Sequence, residues 1–452
     1  MKETGEKRRR LGGREATAAQ IPGAYAISVG DTGAPLPQGW KRHLLSDLAR
    51  MESGHTPSRR HPEYWGGNIP WIGIRDATGN HGRTIYETNE NTNELGIANS
   101  ASRVLPKNTV CLSRTASVGY VVVMGREMAT SQDFANWICG PDLDYRYLKY
   151  ALIAEGDALL NFASGSVHQT IYFPELKSFH IAAPERLEQS AIADILSALD
   201  DKIELNRRMN ETLEATAHAI FRDWFVDFGP VRRKMAGVTD PVAIMGGLTL
   251  DPTRAADLAE LFPAALSQDE LPVGWEMAPL EETLILQRGF DLPKTTRTDG
   301  DYPVIAASGP SGTHNEFKVL GPGVCTGRSG VLGNVYFVND DFWPLNTSLW
   351  IKSFTNSTPL YAYHILREID LAGFNAGSAV PTLNRNHIHG LPITKPPMEN
   401  IQAFDQIGIL FYHKIQANDA EIRTLAETRD YLLPRLMSGE VRVQDVALEI
   451  VA

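Results

Sequence analysis

The sequence predicts an α/β (α+β) fold: two similar globular lobes separated by two long antiparallel coiled-coil helices and related by a pseudo-two-fold axis. Three observations lead there. Short motifs recur at offsets that fall from 235 to 212 residues along the chain. The stretch after each lobe carries apolar residues at alternating steps of four and three. Inside each lobe, short β-rich runs alternate with polar loops.

Residues 1–35 read as an N-terminal extension, basic at Lys7, Arg8, Arg9 and Arg10 and without the apolar core of a signal peptide. The first lobe is assigned to 36–183. It opens on Leu36-Pro37-Gln38-Gly39-Trp40, and its strands are expected at Trp71–Ile74, Val110–Ser113 and Gly119–Val123. The second lobe, 271–395, opens on Leu271-Pro272-Val273-Gly274-Trp275 and repeats further landmarks. Cys111-Leu112-Ser113-Arg114-Thr115 returns as Cys325-Thr326-Gly327-Arg328-Ser329, Trp137-Ile138 as Trp350-Ile351, and Gly165-Ser166 as Gly377-Ser378.

The region 184–228 is predicted to be the first long helix. Its seam runs Ile192, Leu196, Leu199, Ile203, Asn206, Asn210, Leu213, Ala217, Ile220 and Trp224, a 3.5-residue repeat. A linker with one short helix, Arg254–Leu261, is expected over 229–270. The second long helix, 396–441, repeats the seam at Phe404, Gly408, Phe411, Ile415, Asn418, Ile422, Leu425, Arg429, Leu432 and Leu436, and Pro434 is expected to end or kink it. A C-terminal tail follows at 442–452. Asn206 and Asn418 hold equivalent seam positions, where an amide selects one register because a slipped helix would bury it unpaired. A helix of about 40 residues rises ~60 Å. Paired antiparallel, two such rods would hold the lobes at opposite ends, a spacing suited to two DNA segments more than one turn of ~34–36 Å apart.

Composition narrows the function classes. Of 452 residues, 43% are hydrophobic and 21% charged, enough apolar content for two or three packed cores. Cys111, Cys139 and Cys325 form no paired spacing, so neither a disulfide framework nor a zinc site is expected. No apolar run is long enough to span a membrane, and a cytoplasmic location is expected. The net charge of −11 weighs against nucleic acid as a partner unless basic groups gather on one face.

Candidate DNA-contacting residues come from the loops: Arg75, Arg114, Thr115, Ser117 and Gln169, beside His168, in the first lobe, and Arg328, Ser329, Asn334 and Arg385 in the second. Arginine can fork onto guanine, glutamine and asparagine onto adenine, and hydroxyls suit phosphates. Arg114 and Arg328 stand out because the repeat places the same charge after a strand in both lobes. Neither a catalytic set nor a metal site is expected. Lys395-Pro396-Pro397-Met398 lacks the polar residue and ring of an adenine-methylating loop. The run Gly321 to Ser329 has the wrong spacing for a phosphate loop. Asp142, Asp144 and Lys149 match a nuclease set only loosely, and His387 and His389 lie two apart.

These residues resemble the specificity subunit of type I restriction–modification systems, from Leu36 to Val441. The motifs that carry the resemblance are the Leu36–Trp40 opening, Ile69-Pro70-Trp71-Ile72, the close at Gly165–Ile171, the central run Ile220–Phe228 and the distal run Leu425–Glu440. The second lobe closes with Val380-Pro381-Thr382-Leu383, so Gln169 has no counterpart. The resemblance implies two target recognition domains, each reading half of a split asymmetric site in double-stranded DNA. It implies conserved helical regions that bind two methyltransferase subunits, joined by restriction subunits. S-adenosylmethionine, ATP and Mg are expected on those partners and no cofactor on this chain, which by itself is no enzyme. Two alternatives stay open: an interaction scaffold that binds no DNA, or the specificity subunit of a related methyltransferase–nuclease system.

Overall fold

The computed structural model describes residues 15–165, 169–375 and 380–446. They fall into two compact units, one of residues up to Leu205 together with those from Glu421 onward, the other Asn206–Ala420.

In the first unit the main sheet runs Ala49–Ser53, Phe134–Cys139, Val110–Ser113, Val121–Met124, Thr84–Ile85. The inner strands are buried on both faces and rich in Val, Leu and Phe, as a covered sheet requires. A second sheet centres on Trp65–Ile72, parallel to Ala129–Thr130 and antiparallel to Glu90–Thr92. A third pairs Lys41–Leu44 with Phe179–Ala183.

The second unit repeats this plan. Its main sheet runs Leu284–Arg288, Ser348–Phe354, Gly323–Gly327, Val335–Val338. Tyr302–Ala306 lies parallel to Trp343–Pro344 and antiparallel to Gly309–His314, and Glu276–Pro279 pairs with Pro392–Lys395. Strand order and sense match over the first four strands of the main sheet, the three strands of the second and the Lys41–Leu44 and Phe179–Ala183 pair, so the sequence repeat is a repeat of topology, while Thr84–Ile85 is an addition to the first unit among the described residues.

The first long helix is Arg186–Phe225 and the second Met398–Ser438. Within the first unit they pair antiparallel, since Glu188 meets Arg442, Asp200 meets Arg429 and Lys202 meets Glu421. Ile192 and Leu196 share a core there with Leu432, Leu433 and Leu436. The second unit pairs its helical halves in the same sense, with Asn210 meeting Asp419, and Phe221 packing edge-on against Phe404 at 5.8 Å. All ten seam positions of each helix are buried or half-buried.

Three expectations change. Residues 21–29 belong to the first lobe's third sheet, to which they add strands Ile21–Pro22 and Ile27–Val29. The buried Glu155 holds this segment, accepting backbone N–H bonds from Ala24, Tyr25, Ala26 and Ile27. Within 229–270 the one expected short helix forms at Pro252–Glu260, and two more precede it, Gly229–Met235 and Pro241–Ile244. Val231, Ile244, Met245, Ala259 and Phe262 sink into the second unit's core, and Arg233 grips Asp223 with two hydrogen bonds. The second long helix runs through Pro434 to Ser438, because Leu432, Leu433, Leu436 and Met437 keep the last turns buried while the ring removes a single helical hydrogen bond. Of the seam amides, Asn418 donates to Asn210, one turn beyond Asn206.

Candidate nucleic-acid interface

The turn after strand Val110–Ser113 gathers three of the expected contact residues. Ala116 takes a left-handed backbone, φ 64°, and Gly119 a positive one, φ 100°. Ser113 Oγ bridges the turn by donating to Ser117 C=O and accepting from Tyr120 N–H. Thr115 and Ser117 are therefore held half-buried on a tight reversal.

The lobe's closing segment is laid against this turn. Thr170 bridges to both Thr115 and Ser164, and Ile171 N–H donates to Arg114 C=O at 2.9 Å. Gln169, the neighbour of Thr170, is exposed, whereas Ser166, Val167 and His168 lie outside the described residues. Arg75 is exposed on the short helix Ile74–Gly79, away in sequence from the turn.

The Arg114 side chain is turned inward. Its Nη2 donates to Gln132 C=O at 2.9 Å and its Nη1 to Ile171 C=O at 3.4 Å. The guanidinium carbon stands 4.5 Å from the centre of the Phe173 ring, and Nε is buried. Burial pushes the guanidinium pKa down, against the pull of Asp133 and Tyr172.

The second lobe reproduces the main-chain bonds and one of the two guanidinium bonds. Arg328 N–H donates to Thr347 C=O at 2.8 Å, as Arg114 N–H does to Asp133 C=O at 2.8 Å. Leu383 N–H donates to Arg328 C=O at 2.8 Å, and Arg328 Nη1 to Asn346 C=O at 3.3 Å. Ser329 bridges to Thr382, and Gly330 and Gly333 have φ of 95° and 92°. Asn334 is exposed beyond the turn. Arg385, also exposed, opens the short helix Arg385–His389 and donates Nη1 to Leu286 C=O at 3.3 Å. The two lobes thus share a backbone frame and carry different exposed side chains on it.

Groups set aside as catalytic candidates have structural partners. Asp144 caps the helix Tyr145–Glu155 and pairs with Arg146 and Arg186. Lys149 donates to Gly82 C=O and to Asp200, which also receives the Tyr150 hydroxyl and Arg429. Burial opposes ionisation of Asp200, but these neighbours together hold its carboxyl below the usual range. His389 Nε2 accepts from Leu286 N–H at 3.0 Å. In the second unit His364 is fully buried against His218, Phe221 and Phe404, and burial lowers its pKa to about 2, keeping the imidazole neutral. Sequence reasoning missed this anchor, because a lone histidine in an apolar helix carries no signal of its future stacking partners. No described helix is long and apolar enough to cross a membrane.

Residues 37–215 and 272–417 match the family model described as the type I restriction modification DNA specificity domain. A protein of Methanocaldococcus jannaschii named the type I restriction enzyme MjaIX specificity subunit is 26% identical over 447 residues, covering 91% of this chain and 95% of the relative. The type I restriction enzyme HindI specificity subunit of Haemophilus influenzae is 24% identical over 477 residues, covering 89% and 99%. Among solved structures, the type I restriction–modification S subunit of M. genitalium aligns over 89% of this chain and 98% of its own, with TM-score 0.52 and 17% identity, a likeness of fold.

Proposed function

The chain belongs to the type I restriction modification DNA specificity family, and from that premise we propose that it is the DNA-sequence-reading subunit of a type I restriction–modification complex. Each lobe reads one half of a bipartite, asymmetric site in double-stranded DNA. Each long helix rises ~60 Å, more than the ~34–36 Å of one DNA turn, and that length suits it to setting the unread spacer. The helices also dock two methyltransferase subunits, and restriction subunits join the assembly. S-adenosylmethionine belongs on the methyltransferase subunits, ATP and Mg on the restriction subunits. The chain itself contributes no catalytic group and acts in the cytoplasm.

One observation carries this reading. The same frame of strands, turn and closing segment is built twice, and each copy presents its own exposed groups: Arg75 and Gln169 on one, Asn334 and Arg385 on the other. A repeated frame with unlike surfaces is what reading two unlike half-sites requires. The net charge of −11 places much of the phosphate attraction on the partner subunits.

Methylome sequencing of a host that carries the chain with its cognate methyltransferase tests the proposal. Adenine methylation at one split motif with a spacer of fixed length is expected. The purified complex should bind duplexes bearing that motif with strong salt dependence. A host methylome without a split motif, or a complex indifferent to salt, overturns it.

A further inference from the structure

Arg114 and Arg328 are the two loop arginines that the repeat places identically, and both are committed to backbone. In the first lobe, Arg114 ties together two other chain segments, 132–133 and 171–173. Its main-chain N–H bonds Asp133, its carbonyl receives Ile171 N–H, and its guanidinium reaches Gln132 C=O and Ile171 C=O over the face of Phe173. In the second, Arg328 makes the corresponding main-chain bonds to Thr347 and Leu383, and its guanidinium donates to Asn346 C=O, the counterpart of the Arg114–Gln132 bond. Beside each arginine the next residue forms an isolated bridge to the closing segment, Thr115 to Thr170 and Ser329 to Thr382.

Forked recognition of guanine uses two N–H groups along one edge of a guanidinium. In Arg114 the Nη1–Nη2 edge is spent on two carbonyls and the other edge includes the buried Nε. Reading a base would require breaking the clip. A second argument is independent of that geometry. A group placed identically in both lobes cannot distinguish one half-site from the other, whereas it can hold in place the residues that do.

We infer that Arg114 and Arg328 are positioning residues: the Arg114 guanidinium fastens the segment that closes its lobe onto the neighbouring turn, and the Arg328 guanidinium fastens its turn to the Asn346 carbonyl beside it. In the first lobe this fixes Thr115, Ser117 and Gln169 relative to one another; in the second it fixes Ser329 beside Thr382. The inference rests on the proposed reading of split DNA sites and adds to it a division of labour: clipped arginines set the frame, and exposed side chains read.

The test uses the full chain assembled with its methyltransferase, comparing Arg114→Ala, Arg114→Lys, Arg328→Ala and Arg328→Lys with the unmodified protein. Methylation rates are measured on the cognate duplex and on duplexes with single substitutions along each half. Arg114→Ala is expected to lower discrimination about tenfold at several positions of one half-site, leave the other half-site intact, and leave the salt dependence of binding unchanged. Arg328→Ala does the same for the opposite half. Hydrogen exchange at the Thr170 and Ile171 amides accelerates in Arg114→Ala. If the alanine variant does not fold, Arg114→Lys, which keeps the charge but loses the planar donor pair, is expected to show the same pattern more weakly.

Discrimination lost at a single base position would mark a direct base contact and overturn the inference. So would a shallower salt dependence with unchanged discrimination, which marks a phosphate contact. Unaltered discrimination with unaltered exchange overturns it too. Failure of the unmodified complex to methylate any split site counts against the proposed function instead, so the two can fail separately.

Discussion

Asn418 donates its Nδ2 hydrogen to Asn210 Oδ1 at 2.8 Å, and Asn210 in turn donates to Asp419 Oδ1 at 2.8 Å. Asn418 is 1% exposed, and its own Oδ1 is buried without a hydrogen-bond partner among the described residues. An amide so placed weakens the seam and selects a register, because moving either helix by a turn would strand both of its polar groups.

Asn418→Leu should therefore stabilise the helix pair while loosening its register. Removing a half-satisfied buried amide and adding apolar burial is worth about 1 kcal/mol, or about 2–4 °C in Tm for a unit of this size. Thermal melts and cysteine cross-links placed one turn apart along the two helices read both effects. A fall in Tm, or cross-linking confined to the native register, would show that the Asn418–Asn210 bond contributes more than its burial costs.

The turn residues Ala116 and Gly330 stand at the same point of the two lobes, with φ of 64° and 95°. A Cβ in the left-handed region costs about 1 kcal/mol. Ala116→Gly is expected to raise the stability of the first lobe by about that amount. Gly330→Ala is expected to lower the second by a similar amount through backbone conformation alone, since none of the described residues comes within 4 Å of the added methyl. Denaturant melts of the two variants should move in opposite directions; movement in the same direction would refute the equivalence of the turns.

Glu155 lies 2% exposed and accepts hydrogen bonds from four consecutive backbone N–H groups, Ala24 to Ile27. Glu155→Gln points an amide N–H at donors that need an acceptor, a loss of about 2 kcal/mol. The segment 21–29 should then become cleavable, with chymotrypsin cutting after Tyr25. Protection equal to that of the unmodified protein would mean that the strand pairing of Ile27–Val29 suffices without the carboxylate.

How much of this was legible beforehand depends on the range of the interaction. The seam was legible because each position repeats a local spacing, and a face that recurs every 3.5 residues has to be buried. The partner of Asn418 was not, since the stagger between two helices is set by packing along their whole length. The strand at 27–29 was hidden because its pairing with Phe179–Ala183 and its carboxylate anchor at Glu155 both lie over a hundred residues away. Arg114 and Arg328 were legible as special but not as clips: their acceptors are carbonyls, which any residue supplies, so the sequence around Gln132 and Asn346 carries no mark of the bond.

Asp405, on the second long helix, gives the second unit a pH dependence of defined sign. Burial raises its pKa to about 6, with Thr358 opposing, and its Oδ1 is buried without a hydrogen-bond partner among the described residues. The folded state thus holds the proton more tightly than the unfolded one, whose carboxyl titrates near the ordinary value of 3.8. The stabilisation is complete below that value and is lost as pH rises through about 6. Asp405→Asn is uncharged throughout, so it should match the unmodified protein near pH 4 and exceed it at pH 8 by about 1–2 kcal/mol. Paired thermal melts between pH 4.5 and 8 measure that difference, which should widen up to about pH 7 and then level off. A difference constant across the range would place the Asp405 carboxyl in water and remove the cost assigned to its burial.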